Sequence, residues 1–199
     1  MTAILSVLMA YALGAIPFGY LLVRFTGGGD VRAQGSGNIG ATNVLRTTGK
    51  GAGIATLALD IAKGFAAVWL AAWLTNGSAA WMSLAALAAM GGHAFPVFLG
   101  FHGGKAVASF AGAFLYLTPA PLLAVAVVFV IMVALTRYIS AASILCAATF
   151  PLGVWMILHP PPAVLLAALV AGGFIVYRHK SNIDRLRAGT ENRFQWNKL

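Results

Sequence analysis

The sequence predicts an all-α integral membrane protein with about seven transmembrane helices, its N-terminus outside and its C-terminus in the cytoplasm. Three observations carry this reading. Of the 199 residues, 60% are hydrophobic and only 9% are charged, against about 25% charged in an ordinary soluble domain. The apolar residues gather in runs at 3–23, 52–74, 79–99, 106–118, 121–136, 138–158 and 162–178, most of them near the roughly 20 residues a bilayer core requires. The connections also alternate in charge. Those at 24–50, 100–105, 137 and 178–199 hold 12 of the 13 Lys and Arg, whereas those at 75–78, 118–121 and 159–162 hold no Lys, Arg, Asp or Glu. The excess of positive charge on cytoplasmic loops fixes the orientation. The chain shows no internal repeat and no separate soluble segment, so residues 1–199 read as a single membrane domain.

The net charge of +9 does not imply a nucleic-acid partner, because the basic residues flank apolar spans as topology signals do. The one cysteine, Cys146, lies inside an apolar run and reads as a core residue, with no disulfide framework and no cysteine metal cluster. The first run, 3–23, precedes any Lys or Arg. It therefore lacks the basic start of a cleaved signal peptide and reads as an uncleaved span.

Between the first and second runs lies the stretch Gly35-Ser36-Gly37-Asn38-Ile39-Gly40-Ala41-Thr42-Asn43-Val44-Leu45-Arg46. Its glycines allow turns that bring successive N–H groups together, and from about Ala41 it reads as helical, so the turn feeds a helix N-terminus. Thr42, Asn43 and Arg46 are spaced to share one helix face. These features make a phosphate cradle. The spacing is neither that of a P-loop nor G-x-G-x-x-G, and the plainer alternative is an ordinary Gly-rich membrane loop.

The second run contains Asp60, Lys63 and Gly64, a D-x-x-K-G pattern. Asp60 and Lys63 are three apart, so they meet on one face. Ionisable groups inside a span are expensive, and they normally face a cavity or each other. The alternative to a functional pair is one that neutralises itself and ties helices together. The third run ends in Gly91-Gly92-His93-Ala94-Phe95-Pro96, and Gly103-Gly104-Lys105 follows. Pro96 should loosen the helix near His93. The glycine pair, the following helix start and Lys105 make a second candidate anion site. His102 reads as an interface residue. The fourth run, 106–118, is short and bounded by Pro119 and Pro121; pairing with 121–136 as a re-entrant hairpin would leave the tail on the same side.

The tail runs from Tyr177 through Arg178, His179, Asn182, Asp184, Arg185, Arg187 and Gly189 to Glu191. Lys180, Arg187, Arg193 and Lys198 suit anionic lipid heads. His179 and Asp184 stand at the H-x4-D spacing of one glycerolipid acyltransferase class, in which Asp orients a basic His. The long soluble domain and phosphate-binding blocks of that class are absent, so the spacing alone does not make a dyad. The four carboxylates, Asp30, Asp60, Asp184 and Glu191, are scattered without metal-ligand spacing. No serine elbow or reactive cysteine offers a covalent nucleophile. Neither metal nor organic cofactor is expected.

Taken together the segments resemble the bacterial acyl-phosphate:glycerol-3-phosphate acyltransferase family, the PlsY type. S-G-N-x-G-A-T-N-x-x-R stands at Ser36–Arg46, D-x-x-K-G at Asp60–Gly64, G-H-x-F-P-x-F with its G-G-K at Gly92–Lys105, and Y-R-H-x-x-N-I-x-R-L-x-x-G-x-E at Tyr177–Glu191. The likeness covers nearly the whole chain, in the same order. Ala106 departs from the glycine usual after G-G-K, and Ser109 stands where threonine is common. Ala106 is harmless with helical dihedrals and compromises the loop if the site requires positive φ.

The resemblance implies a single membrane acyltransferase domain in the bacterial inner membrane, with its site at the cytoplasmic face. It implies acyl phosphate and glycerol-3-phosphate as substrates, the lipid bilayer as surroundings, and no obligate protein partner. It implies phosphate binding by Ser36, Gly37, Asn38, Gly40, Thr42, Asn43, Arg46, Gly103, Gly104, Lys105, His179 and Asn182, support from Asp60 and Lys63, and reaction roles for Ser36, Lys105 and His93. Acyl phosphate is already activated, so the substrate's own phosphate can take the hydroxyl proton; His93 as base is the competing assignment. The rival class is a small anion transporter or channel, since glycine nests beside broken helices serve there too. A lipid-head phosphotransferase is the third, and it would normally require Mg²⁺.

Overall fold

The computed structural model describes residues 1–195; Lys198, assigned above to lipid heads, lies outside them. All regular structure among the described residues is helical. Among the described residues the apolar runs are helical, and each satisfies its own backbone hydrogen bonds, the arrangement lipid demands. The chain forms two compact units, Met1–Tyr116 and Leu117–Leu199.

In the first unit, α1 (Thr2–Ala15) and α2 (Phe18–Phe25) divide a single apolar run. The cause is Pro17, which has no N–H to give the preceding turn. A 3-10 turn at Val31–Ala33 and a short helix α3 (Ala41–Thr47) lead into α4 (Lys50–Leu74). Gly49, at φ 113°, makes the corner between α3 and α4, a conformation open to glycine. α5 (Ala79–Ala94) follows, then a 3-10 turn at Val97–Leu99, then α6 (Val107–Leu117). α1 packs on both α4 and α5. The shared core is alanine-rich, with Ala10, Ala67, Ala71, Ala85 and Ala89 all fully buried. Small residues let helix backbones approach closely, which is how helices associate in lipid. Gly92 shows this directly: a Cβ there would collide with the backbone of α1 at Tyr11.

In the second unit, α7 (Pro119–Thr136), α8 (Ile139–Leu158) and α9 (Pro162–Arg178) pack in sequence. α10 (Lys180–Arg187) leaves α9 at a bend of 55° and rests on α8 and α9. Pro119 and Pro162 sit in the first turns of their helices, where a missing N–H costs nothing. Cys146 is buried on α8 and donates its thiol to the Val125 carbonyl at 3.2 Å.

Among the described residues five helical segments are long and apolar enough to cross a bilayer: Thr2–Phe25, Lys50–Leu74, Ala79–Leu99, Pro119–Thr136 and Ile139–Leu158. Pro162–Arg178 with Lys180–Arg187 makes a sixth if the bent pair is one span. The seventh expected span corresponds to α6, which has only 11 residues and so reaches about 16 Å at 1.5 Å per residue. The Gly103 and Gly104 amides are bound to the Ala94 and His93 carbonyls at the end of α5, and the helix begins only at Val107. Within the run 79–99, likewise, the α-helix stops at Ala94, two residues before Pro96.

Candidate functional site

The Gly35–Arg46 stretch is a loop built around one buried amide. Asn43, 2% exposed, accepts from the Ser36 N–H at 2.9 Å and points its NH₂ group at the carbonyls of Asn38 (2.9 Å), Gln34 (3.1 Å) and Val31 (3.3 Å). Asn38 closes a smaller turn by accepting from the Gly40 N–H at 2.7 Å. Gly35 and Gly37 take positive φ, 57° and 70°, and a Cβ at Gly35 would strike the Asn43 side chain. With Asn43 turned inward, Ser36 and Arg46 are exposed and Thr42 is half-buried. The amides of Ala41 and Thr42, in the first turn of α3, find no acceptor among the described residues; such amides are the natural anion donors of a helix start. The Ser36, Gly37 and Gly40 amides are already spent within the loop.

The loop is pinned to the helices beneath it. Val31, Ile39 and Val44 form a buried cluster with Val23, against which Tyr20, Ala52 and Leu99 pack. The Ile39 carbonyl lies against Gly19 of α2, beside Thr56 of α4. Asp60 is one helical turn further along α4.

Asp60, Lys63 and His93 are 2%, 4% and 4% exposed. Lys63 Nζ lies 2.8 Å from Asp60 Oδ1 and donates at 2.7 Å to the Ile16 carbonyl, at the break between α1 and α2. It also stands 5.6 Å from the centre of the Phe18 ring, within cation–π range. His93 Nδ1 is 3.6 Å from the same Asp60 oxygen. That contact is electrostatic; a hydrogen bond would be shorter. Sequence spacing pairs Asp60 with Lys63, but the pairing with His93 joins residues on different helices and has no local signature.

Gly103 and Gly104 do not present free amides. Their N–H groups donate to the carbonyls of Ala94 and His93, each at 3.1 Å. Gly104 also lies against the His93 ring, where a Cβ would meet Nε2. Lys105 follows, half-buried. Ala106 has φ 62° and is 1% exposed, so the position that glycine usually fills in the resembling family does take positive φ. Its carbonyl accepts the Phe110 N–H at 2.7 Å and starts α6.

Alongside these motifs an apolar groove of about 310 Å³ opens between Ile16, Pro17, Tyr20, Leu21, Phe98 and Leu99. His102, expected at an interface, is exposed and its Nδ1 lies 2.6 Å from the Gly100 carbonyl.

In the second unit, His179 and Asn182 are buried, 3% and 5% exposed. His179 Nδ1 lies 2.8 Å from the Ile175 carbonyl; a carbonyl only accepts, so that nitrogen carries the proton. Asp184 is exposed, whereas His179 lies buried against the Ile175 carbonyl. Asn182 donates to Glu191 Oε1 at 2.8 Å, Ser140 donates to the same oxygen at 2.9 Å, and Arg185 donates to Oε2 at 2.7 Å. The Glu191 side chain is 6% exposed. Burial pushes its carboxyl up, but the bonds from Asn182, Arg185 and Ser140 outweigh this and hold it below its ordinary value of 4.5. Sequence reasoning gave Glu191 no role and missed Ser140; the only signal was a lone carboxylate in a basic tail. On the surface of the first unit, hydrogen bonds from Arg32 to Asp30 bring the Asp30 carboxyl down to about 2. Among the described residues, no three His, Cys, Asp or Glu side chains gather as metal ligands.

Comparisons with known proteins agree with one another. The family profile described as glycerol-3-phosphate acyltransferase matches residues 4–189. A glycerol-3-phosphate acyltransferase of Desulforamulus reducens is 46% identical over 191 residues, covering 96% of this chain and 94% of that protein. One from a Synechococcus species is 47% identical over 193 residues, covering 97% and 95%. Among solved structures, PlsY (YgiH), an integral membrane glycerol 3-phosphate acyltransferase, superposes in its glycerol 3-phosphate form with a TM-score of 0.92, 38% identity, and coverage of 98% of this chain and 96% of that one. Its lysophosphatidic acid form gives 0.90, 36%, 100% and 98%. The transporter alternative gives way to an acyltransferase, and the chain belongs to the glycerol-3-phosphate acyltransferase family.

Proposed function

We propose that this protein transfers a fatty acyl group from acyl phosphate to the 1-hydroxyl of sn-glycerol-3-phosphate, the first acylation of phospholipid synthesis. In this reading the chain crosses a bacterial inner membrane seven times, N-terminus outside and C-terminus inside, and works at the cytoplasmic face. The hydroxyl oxygen attacks the acyl carbonyl carbon, the bond from that carbon to the phosphate oxygen breaks, and the departing phosphate carries off the hydroxyl proton. The products are 1-acyl-glycerol-3-phosphate and inorganic phosphate. No acyl-enzyme forms, because the donor is already activated.

The observation that carries this reading is the packing of three motifs in one unit: the Asn43-centred loop, the Asp60–Lys63–His93 cluster and the Gly103–Lys105 segment. Ser36 and Arg46 project from the loop, with the Ala41 and Thr42 amides beside them, and suit one phosphoryl group. Lys105 supplies further positive charge. Both substrates are anions, so cationic and N–H donors offset their mutual repulsion and hold them for reaction. The apolar groove beside Pro17 suits the acyl chain. Donor choice is the direct test. With glycerol-3-phosphate as acceptor, detergent-purified protein should use palmitoyl phosphate and leave palmitoyl-CoA unreacted. Equal use of the thioester would refute the donor assignment.

A further inference from the structure

We propose that Asp60, Lys63 and His93 form a buried positioning post that sets Lys105, and that His93 is its bearing surface rather than the base of the reaction. The inference rests on the phosphate-binding role given to Lys105 above. Both ring nitrogens of His93 are committed to the interior. Nδ1 faces Asp60 at 3.6 Å, and Nε2 lies against Gly104 with the residue only 4% exposed. A general base must reach the proton it abstracts, directly or through one water, and His93 is buried whereas Ser36 and Arg46 are exposed.

The load path is continuous. Pro17 parts α1 from α2 and turns the Ile16 carbonyl to Lys63. Lys63 neutralises Asp60 at 2.8 Å. Asp60 Oδ1 stands 3.6 Å from the His93 imidazole. The His93 ring supports Gly104 from one side, while the His93 and Ala94 carbonyls take the Gly104 and Gly103 amides. Lys105 is the next residue, with backbone freedom already removed on its N-terminal side. Ala106 in positive φ closes the segment. A buried ion pair is a poor source of net stability, but breaking one partner is costly. Such a pair is suited to holding a side chain in one place.

The test is steady-state kinetics of detergent-purified variants, read separately for the two substrates and against pH. His93→Gln and Asp60→Ala should each raise KM for one or both phosphate substrates about tenfold or more. The shape of the pH–rate profile should be that of the wild type. A loss of about 100-fold or more in kcat with unchanged KM, together with disappearance of the acid limb, would make His93 the base and overturn the proposal. Wild-type kinetics in both variants would also overturn it. A thermal-unfolding cycle on Gly104→Ala, His93→Ala and the double variant needs no turnover. The proposal predicts that removing the ring relieves the added methyl, so the double variant is more stable than the sum of the single losses. Strict additivity would dismiss the ring–glycine contact. If the wild type shows no acceptor-dependent turnover, the functional reading fails while the unfolding cycle still decides the contact.

Discussion

Ala106 holds φ at 62° with a side chain that disfavours it, and it does so fully buried at the start of α6. A non-glycine residue in the left-handed region costs on the order of 1 kcal/mol. Ala106→Gly should recover that energy, less a small entropic loss, and raise the midpoint of thermal unfolding by about 2–4 °C without loss of turnover. A lowered midpoint would mean that the alanine methyl contributes packing that outweighs its strain. Arg46 and Lys105 are the residues on which phosphate binding is placed. Arg46→Ala and Lys105→Ala should each cut turnover by at least about 10²–10³-fold while membrane insertion and unfolding stay near wild type. Near-normal turnover in either variant would remove that residue from the site.

At the scale of elements, the Gly35–Arg46 loop depends on Asn43 more than on its glycines. One buried amide ties together Ser36, Asn38, Gln34 and Val31. Asn43→Ala leaves several of those groups without partners, each worth about 1–3 kcal/mol when buried. The expected result is a protein that inserts normally, loses activity and becomes sensitive to protease between Gly35 and Arg46. Resistance equal to wild type would show that the loop holds its shape by other means. Sequence reading anticipated the helical start near Ala41 and the polar loop before it, because Gly, Asn and Ser in that order signal turns. It placed Asn43 on the phosphate side, whereas the structure turns its side chain inward; spacing on a helix face does not say which face is buried. It also ran the third helix to residue 99, while Pro96 ends the α-helical part at Ala94. The helix α10 was missed because its residues are polar and lack an apolar stripe.

At the scale of the molecule, each unit carries its own polar centre among apolar helices. Lipid explains why the expected runs correspond so closely to helices: a bilayer leaves an apolar chain few alternatives. Contacts between distant residues, such as Asp60 with His93 or Ser140 with Glu191, leave no such trace. In the second unit, Glu191 gathers Asn182, Arg185 and Ser140. Its carboxyl sits below the ordinary value of 4.5, so the unfolded chain binds its proton first as pH falls. The stabilisation is therefore present in full above about pH 4.5 and is lost as pH drops through the folded value. Glu191→Gln should lower the unfolding midpoint at pH 7 and make it less dependent on pH below about 4.5, as followed by thermal unfolding in detergent. A midpoint as pH-dependent as the wild type's would assign the acid sensitivity to another group.

The central claim is that phosphate leaves the acyl donor only when the glycerol-3-phosphate hydroxyl takes the acyl group. Inorganic phosphate release should be followed with purified protein, acyl phosphate and a metal chelator, with and without glycerol-3-phosphate. The account predicts release that begins on addition of glycerol-3-phosphate and matches 1-acyl-glycerol-3-phosphate mole for mole. Release at the same rate without the acceptor, or none with it, would contradict the account.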